Sequence, residues 1–413
     1  MHKRRIKRKF RKLVFLIFFV IIVAFLISKY PNIFSKNNFL LNNNLEKNEL
    51  KNREKLIENN EVKDSIFKKY YNKARSLVSK MTIEEKIGQL FLVRYNKDDV
   101  EHLSNFYPGG YILFAKDFQN NTKESMLEEI NNDQKLNKYP LILGVDEEGG
   151  YVTRVSRFSA YRTQKFLSPR EYYLNGGYQL LEKTENEKAN LLKSLGINLN
   201  LAPVADVSTN SIDFIYSRSF GEDSIKTSEF VANMVRYANN NKINSCLKHF
   251  PGYGNNVDTH NGIAIDNRSY EDIANNDYKP FIAGIKENVP CILVSHNIVK
   301  SIDEVYPASL SKNVHDELRK KLNFTGIIMT DDLAMDAAKE YVDGGTSVTL
   351  AINSGNDMII TSDFVTMKNE ALTSFHDGKI KEATINEAAT RVIAWKYYSG
   401  LFNNREVNIN ENK

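Results

Sequence analysis

The sequence predicts an α/β protein built as a (β/α)8 barrel of the TIM type, in one domain that follows an N-terminal membrane anchor and a polar tether. Apolar runs of strand length recur eight times over about 330 residues, without polar alternation, which is typical of a parallel sheet covered on both faces. Amphipathic stretches of helical period separate most of these runs. The runs lie at residues 91–95, 111–115, 141–145, 199–204, 243–247, 291–294, 326–329 and 358–361.

The expected helices include residues 84–89, 182–195, 228–240, 311–322 and a final one at 388–398. Trp395, the only tryptophan, lies in this last helix, and we expect it to pack in the core rather than to stack on a sugar. An open doubly wound sheet is the alternative architecture. No glycine-rich phosphate loop opens any of the helices, which weakens that alternative and its dinucleotide-binding function.

The first 28 residues predict a membrane anchor. A basic segment, residues 1–12, carries eight cations and precedes an uncharged apolar stretch at residues 13–28. We expect an uncleaved transmembrane signal anchor, because no small-residue cleavage site follows. The positive-inside rule then places the protein in the cell membrane as a single-pass protein with its domain extracytoplasmic. A cleaved signal, which would make the protein secreted, is the alternative.

The charge distribution excludes one class of partner. The formal net charge of +5 falls to −3 when the eight cations of residues 1–12 are set aside. No basic surface is therefore expected for nucleic acid. Residues 29–64 are polar and predict a solvated linker, residues 65–403 form the predicted barrel domain, and residues 404–413 form a polar tail.

The chain has two cysteines, Cys246 and Cys291. A pair of cysteines in an exported protein raises the prospect of a disulfide. Both lie in apolar runs that look like different buried strands, so the sequence favours two inert buried thiols.

Polar residues follow five of the apolar runs at their carboxyl ends, where a barrel gathers catalytic residues from several strands. Taken singly, each ending has a structural explanation: Asp206 could cap the next helix, and Ser295-His296 could be a satisfied core pair. Five such endings together favour an active-site rim. They are Asp146-Glu147-Glu148, Asp206, Lys248-His249, Ser295-His296 and Asp331-Asp332.

A loop with a possible acid/base pair follows the strand that ends in Lys248. Asp258 and His260 are two residues apart, so in extended backbone their side chains point to the same side. The carboxylate could then orient the imidazole, which titrates near neutral pH. Spacing alone would favour an ordinary surface turn, whereas the polar strand ends on either side in the chain favour a catalytic loop.

Nine motifs in order, over residues 70 to 400, make the chain similar to the bacterial β-N-acetylglucosaminidases of glycoside hydrolase family 3. They are Ile87-Gly88-Gln89, Gly109-Gly110-Tyr111-Ile112-Leu113-Phe114, Val145-Asp146-Glu147-Glu148-Gly149-Gly150, Leu201-Ala202-Pro203-Val204-Ala205-Asp206, Ser217-Arg218-Ser219-Phe220-Gly221, Lys248-His249-Phe250-Pro251-Gly252, Asp258-Thr259-His260, Thr330-Asp331-Asp332-Leu333 and Ser354-Gly355-Asn356-Asp357-Met358.

The resemblance implies hydrolysis of terminal, non-reducing β-linked N-acetylglucosamine by a retaining mechanism, without a metal or cofactor. It makes Asp331 the nucleophile, with Asp332 as a neighbour that orients the loop, and Asp258 and His260 the acid/base pair. It assigns sugar binding to Asp146, Arg154, Arg218, Lys248 and His249. We expect a monomer whose substrate is a carbohydrate derived from peptidoglycan.

Two features qualify the resemblance. Tyr253 stands where the family motif usually has histidine, which puts any role of that position in orienting His260 in doubt. The chain ends about 15 residues after the last predicted helix, so we expect no second domain to supply a carboxylic acid, which favours the Asp-His type over a β-glucosidase. A phosphorylase and a catalytically silent glycan-binding protein are the alternative functions.

Overall fold

The computed structural model of the protein describes residues 65–254, 264–334 and 346–403. The predicted anchor at residues 13–28, the linker at residues 29–64, the tail at residues 404–413, and both Asp258 and His260 lie outside the described residues. Within the three described ranges, no helix is both long enough and apolar enough to pass through a bilayer.

Eight parallel strands form a nearly closed barrel, as the sequence predicts. Neighbours in the chain pair in order, and the last strand pairs with the first through Ile359 opposite Phe91. A parallel bridge between Met329 and Met358 links the two strands at the remaining gap. The barrel strands are β1 (Phe91–Arg94), β2 (Gly110–Leu113), β3 (Ile142–Val145), β4 (Leu199–Asn200), β5 (Asn244–Phe250), β7 (Cys291–Val294), β9 (Ile327–Thr330) and β10 (Ile359–Thr361); β6 (Ile265–Asp266) pairs with β8 (Ile298–Val299) in a separate small sheet.

The helices pack around this barrel, and several begin with side-chain caps that the sequence encodes. Thr82 and Glu85 form a capping box at the start of α2, in which each side chain binds the other's backbone N–H. The described helices are α1 (Tyr71–Val78), α2 (Ile83–Gln89), α3 (Val100–Ser104), α4 (Ala115–Phe118), α5 (Lys123–Leu136), α6 (Pro169–Ser194), α7 (Ser224–Asn240), α8 (Tyr270–Asp272), α9 (Tyr278–Lys286), α10 (Lys312–Asp316), α11 (Ser347–Ser354), α12 (Phe364–His376) and α13 (Glu382–Tyr398).

Four helices differ from their predicted bounds by more than one residue, and two of them, α7 and α13, only by starting four and six residues earlier than predicted. Helix α6 starts at Pro169, with Ser168 and Glu171 as its capping box, whereas the prediction began at residue 182. A kink at Gly176 and Gly177 interrupts it, and the φ of Gly177 is 62°, so the apolar period does not continue through the kink. The predicted helix at residues 311–322 is instead α10 followed by a π-helical turn at Glu317–Lys321.

Trp395 confirms its predicted packing role. Its side chain on α13 is fully buried in the main apolar core, and its indole N–H donates a hydrogen bond of 2.9 Å to Oδ1 of Asn244 on β5. The bond ties the last helix to the barrel and satisfies the one polar atom of a buried tryptophan.

The prediction of two free thiols is wrong, because Cys246 and Cys291 form a disulfide. Their strands, β5 and β7, are neighbours in the sheet, and the two residues pair directly in the register. Their Cα atoms lie 4.4 Å apart, within reach of a disulfide. Membership of two different strands therefore favours the bond rather than opposing it.

Candidate active site

A cavity of about 510 Å³ opens at the carboxyl ends of the barrel strands. It contains every predicted site residue that lies within the described ranges: Asp146, Arg154, Arg218, Lys248, His249 and Asp331. The strands deliver these residues because a parallel barrel collects all its carboxyl ends on one rim. The rest of the lining is Ile112, Phe114, Glu148, Val152, Leu201, Phe214, Leu293, Asp332 and Ile360.

Lys248 lies between two carboxylates at the floor of the cavity. Its Nζ is 2.6 Å from Oδ1 of Asp146 and 2.6 Å from Oε1 of Glu148, and its side chain is only 4% exposed. Arg218 donates to the same Glu148 through Nε at 3.1 Å and Nη2 at 2.8 Å. Glu148 is therefore clamped by two cations, and the second oxygen of Asp146, Oδ2, lies 3.7 Å from Nη2 of Arg154.

The charges of this cluster perturb one another. Burial alone would raise the pKa of Glu148, but the adjacent Lys248 and Arg218 charges outweigh burial and hold that pKa well below its usual range. Burial would lower the pKa of Arg218, but the Glu148 carboxylate raises it. Both groups stay ionised at neutral pH, so the cavity floor keeps a fixed set of charges.

Hydrogen bonds select the tautomer of His249. Its Nδ1 lies 2.7 Å from Oδ2 of Asp206, which can only accept when ionised, so Nδ1 carries the proton. Nη2 of Arg218 donates to Nε2 of His249 at 3.3 Å, which requires Nε2 to be unprotonated. Asp206 also accepts from the backbone N–H of His249 at 3.1 Å and of Tyr253 at 2.7 Å. This buried carboxylate fixes both the imidazole and the start of the following loop.

The segment after β3 is held by a carboxylate that does not reach the cavity. Glu147 is fully buried and accepts hydrogen bonds from the backbone N–H of Arg154 at 2.7 Å and of Val155 at 2.8 Å. The guanidinium of Arg154 then lies 5.3 Å from the ring of Phe114 and 3.7 Å from Oδ2 of Asp146. Arg154 is therefore placed beside Asp146 at the cavity wall, in the position expected of a residue that orients it.

Asp331 and Asp332 follow β9 and have different surroundings. Oδ1 of Asp332 accepts from the backbone N–H of Ala334 at 2.9 Å and of Ser362 at 3.3 Å, so its carboxylate is engaged with the loop. Burial raises the pKa of Asp332, and the Asp331 charge raises it further. The carboxylate of Asp331 accepts a 2.9 Å bond from the Asp332 N–H and lines the cavity.

A buried histidine, His296, is hydrogen-bonded to the backbone of the loop that carries Asp331 and Asp332. Nε2 of His296 lies 3.1 Å from the carbonyl oxygen of Asp332, which can only accept, so Nε2 donates. Nδ1 of His296 therefore accepts from the hydroxyl of Ser309 at 2.7 Å. Ser295-His296, one of the five polar strand endings, thus acts on the loop rather than lining the cavity.

Tyr253 fits the position where the family motif has histidine. It is 2% exposed, and its ring packs 5.3 Å from His249 and 5.7 Å from Phe214, centroid to centroid. Gly252 precedes it with a φ of 123°, and a Cβ there would lie 2.2 Å from Oδ1 of Asp277. The orientation of His260 lies outside the described residues.

Three groups were missed as site residues. Glu148 is two positions after Asp146, a spacing that places alternate residues on one side of an extended segment. Asp206 follows β4, and its partner His249 lies at the carboxyl end of the neighbouring strand β5, so pairing of strand ends was the available signal. Phe114 and Phe214 form aromatic walls of the cavity, and nothing in the sequence except their aromatic side chains indicates that position. Within residues 65–254, 264–334 and 346–403, no three acidic, histidine or cysteine side chains come together to hold a metal.

The family model described as the glycosyl hydrolase family 3 N-terminal domain matches residues 82–395. The chain belongs to glycosyl hydrolase family 3. It is a glycosidase, and the resemblance drawn from the motifs is confirmed.

Relatives agree with this family assignment, and solved structures share the fold. A protein named β-hexosaminidase from Nitrosomonas eutropha is 31% identical over 67% of this chain and 80% of its own length. An uncharacterised secreted glycosyl hydrolase of Arthroderma benhamiae is 28% identical over 67% of this chain and 80% of its own. A family 3 β-N-acetylglucosaminidase from Paenibacillus matches with a TM-score of 0.72 at 24% identity, over 78% of this chain. The chain spans 63% of the length of that Paenibacillus protein.

Proposed function

We propose that this family 3 glycosidase is a β-N-acetylhexosaminidase that removes terminal, non-reducing β-linked N-acetylglucosamine with retention of configuration. The observation that carries the proposal is one cavity that is lined both by the Asp331 carboxylate and by a cluster of fixed charges suited to sugar hydroxyls. The β-hexosaminidase relatives support the choice of sugar.

Sugar binding is the role proposed for the charged cluster at the cavity floor. The Asp146 carboxylate accepts hydrogen bonds from sugar hydroxyls, and Lys248, Arg218 and His249 present donors or acceptors of fixed direction because Glu148 and Asp206 hold them. Arg154 positions Asp146 or touches the sugar directly. Rigidly held polar groups bind a polyol with little loss of side-chain entropy.

Asp331 is proposed as the nucleophile that forms the glycosyl-enzyme intermediate. Retaining hydrolysis needs an ionised carboxylate at one face of the anomeric carbon. Asp332 is the weaker candidate, because backbone N–H groups occupy its carboxylate and its pKa is raised by burial. The loop geometry therefore favours the first aspartate of the pair.

The acid/base pair is proposed from the sequence. Asp258 and His260 follow Gly254, where the described part of this segment ends, by four and six residues. His260 would protonate the leaving oxygen and then take a proton from water, with Asp258 orienting the imidazole. Asp206 and Tyr253 hold the start of that segment beside His249.

The cellular context of the activity is also part of the proposal. We infer a chain with an anchor at residues 13–28, a linker at 29–64, a barrel domain at 65–403 and a tail at 404–413. Such a protein lies on the outer face of the cell membrane, or is secreted if the signal is cleaved, where peptidoglycan-derived glycans occur. We propose that it acts there as a monomer, without a cofactor.

The test is hydrolysis of 4-nitrophenyl β-N-acetylglucosaminide by the full chain in detergent. We expect Asp331→Ala to lower kcat by about 1,000-fold or more, and His260→Ala to lower it by about 100-fold or more. Asp377→Ala removes an exposed carboxylate that follows α12 and does not line the cavity; it is the control and should keep parent activity. Retained activity in Asp331→Ala would refute the mechanism, and retained activity in His260→Ala alone would refute the acid/base pair.

The same assay separates the alternatives. A phosphorylase would need phosphate and would release a sugar 1-phosphate, whereas a hydrolase releases free N-acetylglucosamine at the same rate without phosphate. A silent glycan-binding protein would bind N-acetylglucosamine and release no 4-nitrophenol.

A further inference from the structure

Arg268 lies beside both ends of the segment that carries Asp258 and His260 in the chain. The described residues before this segment end at Gly254, and those after it begin at Ala264. Arg268 packs against the first end and binds the second by hydrogen bonds. Its side chain is partly buried, with 27% of its surface exposed, and it does not line the cavity at the carboxyl ends of the strands.

At the first end, a glycine leaves the space that the guanidinium occupies. Gly254 has a φ of 58°, and a Cβ at this position would lie 2.6 Å from Cζ of Arg268 and 2.7 Å from its Nη2. Non-bonded carbon atoms normally stay about 3.5–4.0 Å apart. The backbone of Gly254 therefore lies directly against the guanidinium, and the two positions depend on each other.

At the second end, Arg268 binds the carboxylate of Asp266 on β6. Its Nε and Nη2 lie 3.0 and 2.7 Å from Oδ2 of Asp266, and its backbone N–H donates to Oδ1 at 2.9 Å. The side chain of Asp266 is 1% exposed, so its charge needs this buried partner. The start of β6 is also held by β8, since the N–H of Ile298 donates to the carbonyl of Ala264 at 2.8 Å.

Arg268 also binds Asp277, which ends a π-helical turn at Ile273–Asp277. Nη1 of Arg268 lies 2.8 Å from Oδ2 of Asp277, whose side chain is 1% exposed. The other oxygen, Oδ1, lies against the backbone of Gly252, where a Cβ would be only 2.2 Å away. Burial raises the pKa of Asp277 to about 7, although the charge of Arg268 opposes that rise. The charge of Asp277 beside the turn after β5 therefore depends on the arginine.

One guanidinium thus connects three parts of the chain: the turn after β5, the start of β6 and the π-helical turn. Fixing both ends of a segment reduces the conformations that the residues between them can adopt, and each backbone residue fixed is worth about 1–2 kcal/mol of entropy. Proton transfer needs the acid and the leaving oxygen within hydrogen-bond reach of each other. Contacts that fix the ends of residues 255–263 therefore limit the positions open to an acid/base pair within them.

We propose that Arg268 is a positioning residue for acid/base catalysis, which holds both ends of residues 255–263 so that His260 and Asp258 serve the leaving oxygen. The inference rests on the proposed function, because it assumes that this pair is the acid/base pair. It assigns Arg268 no contact with the sugar. Loss of Arg268 should weaken proton donation and leave sugar binding and attack by Asp331 intact.

The leaving group of the substrate reports on the proton donor. A 2,4-dinitrophenolate departs with little protonation, because its phenol is a strong acid, whereas a phenolate needs the proton. The test measures kcat/KM of the full chain on phenyl and 2,4-dinitrophenyl β-N-acetylglucosaminides, since kcat/KM reports the steps up to the glycosyl-enzyme. We expect Arg268→Gln to lose about 100-fold on the phenyl substrate and less than about threefold on the dinitrophenyl substrate. His260→Ala should show the same split.

Arg319→Gln is the matched control. Arg319 is also partly buried, with 20% of its side chain exposed, and it pairs with Asp357 and donates to the carbonyl of Gly326 at 2.7 Å. Gly326 precedes β9, so this pair lies at the amino end of the barrel strands. Its loss should change kcat/KM by the same factor on both substrates. Arg268→Lys keeps the charge and cannot bridge two carboxylates, so it should show the split even if Arg268→Gln fails to fold.

The outcomes separate the two proposals. Equal changes on both substrates, or no change, in the Arg268 variants would overturn the role of Arg268 while the split in His260→Ala upholds the acid/base pair. A split absent from His260→Ala would overturn the pair and the positioning role with it. If the parent hydrolyses neither substrate, the proposed function fails and the role of Arg268 falls with it.

Discussion

Replacing Asp206 with asparagine removes a charge that organises the cavity without lining it. Three N–H groups share its two oxygens: the backbone N–H and Nδ1–H of His249 at 3.1 and 2.7 Å, and the backbone N–H of Tyr253 at 2.7 Å. Asparagine offers one oxygen and one NH₂ group. If the oxygen faces His249, the NH₂ group opposes the N–H of Tyr253. If the oxygen faces Tyr253 instead, the backbone N–H and the Nδ1–H of His249 both lose their acceptor.

The second orientation also changes the histidine. His249 could accept from the new NH₂ group only by moving its proton to Nε2, where it would face the donor Nη2 of Arg218. A lost bond to a charged acceptor costs about 1.5–3 kcal/mol, and an unpaired buried N–H costs about 1–3 kcal/mol. We therefore expect Asp206→Asn to lose about 3 kcal/mol of unfolding free energy and about 10- to 100-fold in kcat/KM.

Guanidinium unfolding and hydrolysis of 4-nitrophenyl β-N-acetylglucosaminide measure the two effects. Asp213→Asn is the matched control, since Asp213 accepts from the hydroxyl of Ser208 at 2.8 Å in the segment after β4, away from His249. The control should keep parent kcat/KM. Unchanged stability and unchanged kcat/KM in Asp206→Asn would show that the carboxylate does not hold the histidine, and the reasoning would be wrong.

Three further predictions test other parts of the structure. Glu148→Gln leaves Arg218 without its carboxylate partner and Lys248 with Asp146 alone, and should lose about 3 kcal/mol of unfolding free energy in guanidinium; Asp377→Asn, which breaks an exposed pair with Lys379, should lose less than about 1 kcal/mol. His296→Gln should lower kcat about tenfold with little change in KM, because it loosens the loop that carries the proposed nucleophile. An unchanged kcat in His296→Gln would show that His296 does not position this loop; Ser309→Ala, which removes the other hydrogen-bond partner of the imidazole, is the comparison. Burial raises the pKa of Asp133 from 3.8 to about 6, so the folded state holds this proton more tightly than the unfolded state. The stability that this protonated carboxyl contributes is present below about pH 4 and is lost as the pH rises to about 6. Asp133→Asn should therefore be more stable than the parent by about 1 kcal/mol at pH 7. Unfolding curves at pH 3.5 should show no difference between the two.

The barrel was predictable because its strands are buried on both faces. The strands β7 and β9 are continuous apolar runs without polar alternation, as is typical of a parallel sheet covered on both faces. Their observed bounds fall within a residue or two of the predicted ones. The first half of α6 was not predicted, because the kink at Gly176 and Gly177 breaks the helical period on which the prediction depended. Such a helix is stabilised by packing against its neighbours rather than by its own pattern.

The disulfide could not be predicted by considering each strand separately. Each cysteine looked like an ordinary buried residue of its own strand. The alignment of Cys246 with Cys291 follows from the register between β5 and β7, and 45 residues separate the two positions in the chain. Sequence patterns report which face a strand buries, and they carry no information on which residue of the next strand lies opposite.

The sequence by itself determined the barrel class, the family and the polar residues that end its strands, because these depend on local composition and on the order of motifs. The tertiary structure decided how those residues pair. The position of Glu148 between Lys248 and Arg218, and that of Asp206 on His249, depend on contacts between segments distant in the chain. Charges act over a few ångströms, so their partners are set when the barrel closes and brings its strand ends together.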